Sequence, residues 1–176
     1  MKHNLIVIDL ETSGDSPVEH QILSIGAVDF TTRETFYGEC KLNAWDKYMP
    51  EALVINGFTV EEIYDPNKPT PLKLYSDFLN WAMPRNGILA GQNVGSFDVQ
   101  FLMKNNRDYG QPWPFRYNYV DLHSVFYAKY GQSLSLKKIC QFLGVEPEPA
   151  IHNALTGAQK VVECLDILLK SQIKKK

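Results

Sequence analysis

The chain has 176 residues, 44% hydrophobic and 22% charged, which excludes a disordered polymer and suits one folded, soluble unit. A chain of this length buries roughly 70% of the surface its unfolded form exposes, so one core over residues 1–176 is enough. A net charge of -2 and a pI of about 6.1 exclude a whole-molecule positive field, so any nucleic acid must be held by local contacts.

Leu5-Ile6-Val7-Ile8 is a continuous β-branched-rich run ending in Asp9-Leu10-Glu11 and then Thr12-Ser13-Gly14. It reads as a buried central strand entering a turn. The run is too short for a signal peptide's core, and no other stretch approaches membrane-spanning length, so no membrane partner is expected. Ile22 to Phe30 and Thr35 to Leu42 read as two more strands, joined through the polar Thr31-Thr32-Arg33-Glu34. Pro50 to Ile63 predicts one or two brief helical turns. From Pro71, apolar Leu72, Leu74, Tyr75, Phe78, Leu79 and Ala82 mark an amphipathic helix ended by Pro84.

Gly87 to Gln92 reads as a buried strand, and Ser96 as the N-cap of a helix carrying Phe97, Phe101 and Leu102. Tyr117 to Leu122 suggests a short strand leading into a helix at Ser124 to Tyr130, and Ser135 to Leu143 is a further helix stopped by Gly144. The Pro-rich loop Glu146-Pro147-Glu148-Pro149 leads to His152, and Ala154 to Leu169 forms the last helix. Residues 171–176, with Lys174-Lys175-Lys176, are expected as a flexible basic tail. This order predicts an α/β fold, a mixed β-sheet flanked by α-helices. Cys40, Cys140 and Cys164 are odd in number and form no CxxC, so neither a disulfide framework nor a zinc site is indicated, and a cytoplasmic setting is the simplest reading.

Asp9 and Glu11 are two apart on a strand and so share a face. Paired hard oxygen ligands at a strand end suit Mg²⁺ or Mn²⁺, while the plainer reading is a solvated strand end. Asp98 stands directly after a buried strand and at a helix start, where ligands collect in open α/β sheets and where an acid also offsets the helix dipole. His152 opens the last helix and could deprotonate water near neutral pH, although a lone histidine is more often structural. His3 and His20 lie in exposed-looking contexts.

Together, Val7-Ile8-Asp9-Leu10-Glu11-Thr12-Ser13-Gly14, then Ser96-Phe97-Asp98-Val99-Gln100-Phe101-Leu102, then His152-Asn153-Ala154-Leu155 resemble the three ordered motifs of the DEDDh exonucleases. The resemblance covers about Leu5 to Leu169 and implies a ribonuclease H-like fold, 3′-to-5′ exonuclease activity and two Mg²⁺ or Mn²⁺ ions. By similarity Asp9 bridges both metals, Glu11 holds the first, Asp98 serves the second largely through water, and His152 is the general base. Thr12 would lie near the terminal 3′-hydroxyl, and Phe97 would stack beside a terminal base or else join the core. The implied partner is a single-stranded DNA or RNA 3′ end; the sequence identifies neither a polymerase partner nor a homodimer.

The family's third motif carries an aspartate five residues after the histidine, and that position here is Gly157. No carboxylate lies one helical turn from Gly157, whose neighbours there are Asn153, Ala154, Lys160 and Val161. Glycine within a helix costs up to about 1 kcal/mol against alanine, so helix propensity does not explain it. Simple absence of the ligand is the first reading, ahead of donation by Glu148 or Asp121 or a lean of Lys160 into the gap. The expectation is a weakened exonuclease, or alternatively a degenerate module that binds nucleic acid without cutting it. Asn93, five residues before Asp98, is one residue off the commonest family spacing.

Overall fold

A computed structural model describes residues 4–173, with side chains to residue 170. Three strands open the chain, β1 (Leu5–Thr12), β2 (Ile22–Asp29) and β3 (Thr35–Glu39), and two short helices follow, α1 (Pro50–Asn56) and α2 (Val60–Ile63). Then come α3 (Pro71–Ala82), a 3-10 turn at Met83–Arg85, β4 (Ile88–Gly91), α4 (Asp98–Asp108), β5 (Val120–Asp121), α5 (Leu122–Tyr130), α6 (Leu136–Leu143) and α7 (Ala154–Ile173). The sheet order is β3-β2-β1-β4-β5, with β2 antiparallel to both β1 and β3, and β4 parallel to both β1 and β5. β1 is central, as its continuous apolar run predicts.

Alternation along β1 divides the core in two. Ile6, Ile8 and Leu10 pack on one face with Tyr75 and Phe78 of α3 and Phe101 and Leu102 of α4. Val7 faces the opposite way, with Phe126 of α5, Ile139 of α6 and Val161, Leu165 and Leu168 of α7. Asp9 and Glu11 belong to this second face, under the start of α7.

Several boundaries differ from the sequence reading. β3 stops at Glu39 and not Leu42, because the Lys41 and Leu42 amides turn away to the Pro69 and Ile63 carbonyls. The β4 ladder is confined to Ile88–Gly91, and β5 to two residues, because Asp121 caps α5 by accepting from the Ser124 amide and so starts that helix at Leu122. Ser96 does not cap α4: its hydroxyl donates to the Asn93 carbonyl at 2.9 Å, and Phe97 occupies the cap position without a side-chain bond. α7 runs to Ile173, so residues 171–173 continue the helix and are not a tail, while Lys174 to Lys176 and His3 lie outside the described residues. His20 is buried, its Nδ1 accepting from the Ser16 amide at 3.1 Å. No helix among the described residues is long and apolar enough to cross a membrane.

The sheet admits α7 at unusually close range through Gly26 of β2, which pairs with Asp9 across the ladder. A Cβ at Gly26 would lie 2.1 Å from the Ala154 carbonyl carbon and 2.2 Å from the Leu155 amide, both main-chain atoms that cannot rotate aside. Gly26→Ala is therefore expected to destabilise the fold by at least about 2 kcal/mol, in the upper range for overpacking, read as a lowered midpoint in urea denaturation.

Candidate active site

The carboxyl end of β1, the start of α4 and the start of α7 meet at one cleft. Its volume is about 400 Å³, and Asp9, Glu11, Thr12, Phe97, Glu148 and His152 line it, with Met49, Ala52 and Ile55 of the α1 region forming an apolar wall. The ladder shifts register between Glu11 and Thr12, an irregularity of the kind that re-aims side chains beside active sites.

The acids in this cleft are held against ionisation. Burial, and then the charges of Asp98, Glu11 and Glu148, push the Asp9 carboxyl well above its ordinary range. Glu11 is pushed up to about 8 by burial and by Glu148 and Asp98. Asp98 is 2% exposed; burial raises it to about 7, against the pull of its own and the Leu10 backbone N–H groups. Burial also raises Glu148, partly offset by His152.

His152 is exposed at the rim, its backbone N–H donating to the Ile55 carbonyl at 2.9 Å and its Nε2 lying 3.9 Å from Glu148 Oε1. Asn153 caps α7 by accepting from the Leu155 and Thr156 amides. The Thr12 hydroxyl donates to the Gly14 carbonyl at 2.6 Å, and the Thr12 carbonyl accepts from Asn56 at 3.1 Å. Phe97 is half-buried, its ring 5.1 Å from that of Phe101, yet it still lines the cleft. It thus belongs partly to the core and partly to the cleft wall.

At the departure from the family motif, a Cβ on Gly157 would stand 2.2 Å from Asp9 Oδ2. Helix propensity gives no reason for glycine there, and in its present rotamer the Asp9 carboxylate occupies the space a side chain would take. Lys160 does not lean into that space, since its ammonium pairs with Glu163 at 3.0 Å. Asp121 is equally committed, accepting from Ser124 and from the Val94 amide. Glu148, named in the sequence only as a possible outside donor, lines the cleft: it enters from an irregular loop, where no periodicity signals which way a side chain points.

The donor set is of the hard-oxygen type that suits Mg²⁺ or Mn²⁺, and Glu148 Oε2 is buried without a hydrogen-bond partner among the described residues. No three His, Cys, Asp or Glu side chains among the described residues converge on one point as a ready-made metal site. The fit to a divalent ion is one of donor chemistry and a shared cleft, and closing the ligands round an ion takes side-chain rotation.

A mixed sheet in this order, with acids at the end of its central strand and helices on both faces, defines the ribonuclease H-like class of fold. Within that class the sequence pattern of an exonuclease family matches residues 6–165, and the chain belongs to that family. It is 27% identical over 182 residues to the 3′-5′ DNA exonuclease Cap18 of Escherichia coli, spanning 99% of this chain and 96% of that protein. It superposes on E. coli exonuclease I in a zinc-bound complex with single-stranded DNA at a TM-score of 0.81 and 17% identity, over 99% of this chain and 42% of that one. For the complex with a dT13 oligonucleotide the TM-score is 0.82 at 16% identity, with the same coverage. The chain thus spans less than half the length of exonuclease I, and this likeness is one of fold.

The raised acids give the metal-free protein a defined pH response. Glu11 ordinarily titrates at 4.5 and in the fold at about 8, so between these values the folded form binds more protons than the unfolded one. Stability is fully present below the lower value and is lost as pH rises through the upper. In chelator, the melting temperature should fall from about pH 5 to pH 8, and Glu11→Gln should raise it by several degrees at the upper pH while changing it little at the lower.

Proposed function

We propose that the chain, as one domain, removes nucleoside monophosphates stepwise from the 3′ end of single-stranded DNA, with Asp9, Glu11 and Asp98 holding Mg²⁺ or Mn²⁺. The observation that carries this reading is the gathering of Asp9, Glu11 and His152 along one cleft, with buried Asp98 close enough to raise the carboxyls of Asp9 and Glu11. Mutually repelling carboxylates are destabilising unless a cation serves them. A bound divalent ion supplies the positive charge that offsets charge growing on the phosphate and activates water.

The chain's own groups account for the remaining requirements. His152, whose backbone N–H donates to the Ile55 carbonyl at the cleft rim, takes a proton from the attacking water in this reading. Because the Thr12 hydroxyl spends its proton on Gly14, its oxygen is left as an acceptor for a terminal 3′-hydroxyl. Phe97 and the wall of Met49, Ala52 and Ile55 offer an apolar surface to a terminal base. The choice of DNA is supported by the name of the Cap18 relative and by the oligonucleotides bound in the exonuclease I structures. Gly157 supports a second reading, a module that binds single-stranded ends without cutting them.

A time course on matched single-stranded DNA and RNA, labelled at the 5′ end, separates these readings. Exonuclease action gives a ladder and free mononucleotides from DNA in Mg²⁺ or Mn²⁺, none in chelator and none with Asp9→Ala; His152→Ala slows it by about 10²- to 10⁴-fold. Binding without any ladder at every metal concentration, with cleavage gained in Gly157→Asp, would establish the second reading instead.

A further inference from the structure

We propose, resting on the carboxylate site just described, that Glu148 replaces the missing motif aspartate: the last metal-holding carboxylate comes from the loop before α7 and not from α7 itself. The first observation concerns space. The position where α7 would present a side chain is filled by Asp9 Oδ2, 2.2 Å from where a Cβ on Gly157 would stand. Helix and strand are already as close as their main chains allow at Gly26. A ligand from that direction has no room beside Asp9 in its present rotamer.

The second observation is Glu148 itself. It belongs to a Pro-flanked surface loop, yet its side chain is only 13% exposed and its Oε2 is buried with no hydrogen-bond partner among the described residues. A glutamate serving only the loop would turn both oxygens to solvent or to an amide. Here one oxygen faces His152 Nε2 across 3.9 Å, and the residue lines the cleft with Asp9 and Glu11.

The third observation removes the competitors. Asp121 is spent on capping α5 and on the Val94 amide, and Lys160 is paired with Glu163. The loop that carries Glu148 is fixed at its far end, where the His152 amide bonds Ile55 and Ile151 packs against Gly57.

The test is Mn²⁺ titration of the full chain by calorimetry, with Asp9→Ala, Glu148→Gln and Glu148→Asp, alongside 3′-end degradation of single-stranded DNA and melting in chelator to establish folding. Glu148→Gln should weaken Mn²⁺ binding by about 10-fold or more and slow degradation, while Glu148→Asp, which keeps the charge, retains more of both. Mn²⁺ binding by Glu148→Gln equal to that of the parent overturns the proposal. So does loss of degradation with Mn²⁺ binding intact, which would mean that Glu148 acts only through His152. If the parent and Asp9→Ala bind Mn²⁺ alike, the carboxylate site itself is wrong and the proposal falls with it.

Discussion

The contact on which the rest of the molecule depends is the approach of the α7 main chain to β2 at Gly26. A helix resting on side chains stands off a sheet by the depth of those side chains; here the Ala154 and Leu155 backbone rests on a residue that has none. Three consequences follow from that one close approach. His152 is brought to the rim of the cleft at the end of β1, Asp9 lies directly beneath the first turn of α7, and Gly157 becomes the residue that lets Asp9 keep its carboxylate there. The site is thus shaped by backbone proximity before any side-chain chemistry enters.

Against that tight packing stands a repulsive group of acids. Asp9, Glu11, Asp98 and Glu148 are each held above their ordinary titration range, chiefly by burial and for Asp9 and Glu11 also by one another. The cores on the two sheet faces, with Phe78 and Phe101 on one side and Phe126 and Leu165 on the other, supply the apolar burial that lets the fold tolerate this. Local instability concentrated at a functional cleft, offset by well-packed layers elsewhere, is a common division in enzymes.

Much of this was legible in the sequence, for identifiable reasons. The apolar run of β1 and the 3.6-residue spacing of α3 report burial directly, so both elements fell where the pattern put them. The three motifs resembling DEDDh exonucleases marked Asp9, Glu11, Asp98 and His152, and the structure brings Asp9, Glu11 and His152 to one cleft, with Asp98 near enough to act on both acids. What stayed hidden depends on contacts distant in sequence. His20 looks polar and exposed until the Ser16 amide and Gly14 close over it, and β3 ends early because two amides find carbonyls on other segments. Glu148 carries no periodic signal at all, and what faces Gly157 is a side chain 148 positions earlier.

The bond from the His152 amide to the Ile55 carbonyl joins the start of α7 to α1, a helix of seven residues with mostly exposed outer positions. That helix also furnishes the apolar wall of the cleft and, through Asn56, holds the Thr12 carbonyl. His152, the wall and the Thr12 main chain are therefore mounted on one small lever. A tilt of α1 would shift all three together, so under the proposed function alignment at a phosphate and grip on a terminal base would be mechanically one adjustment.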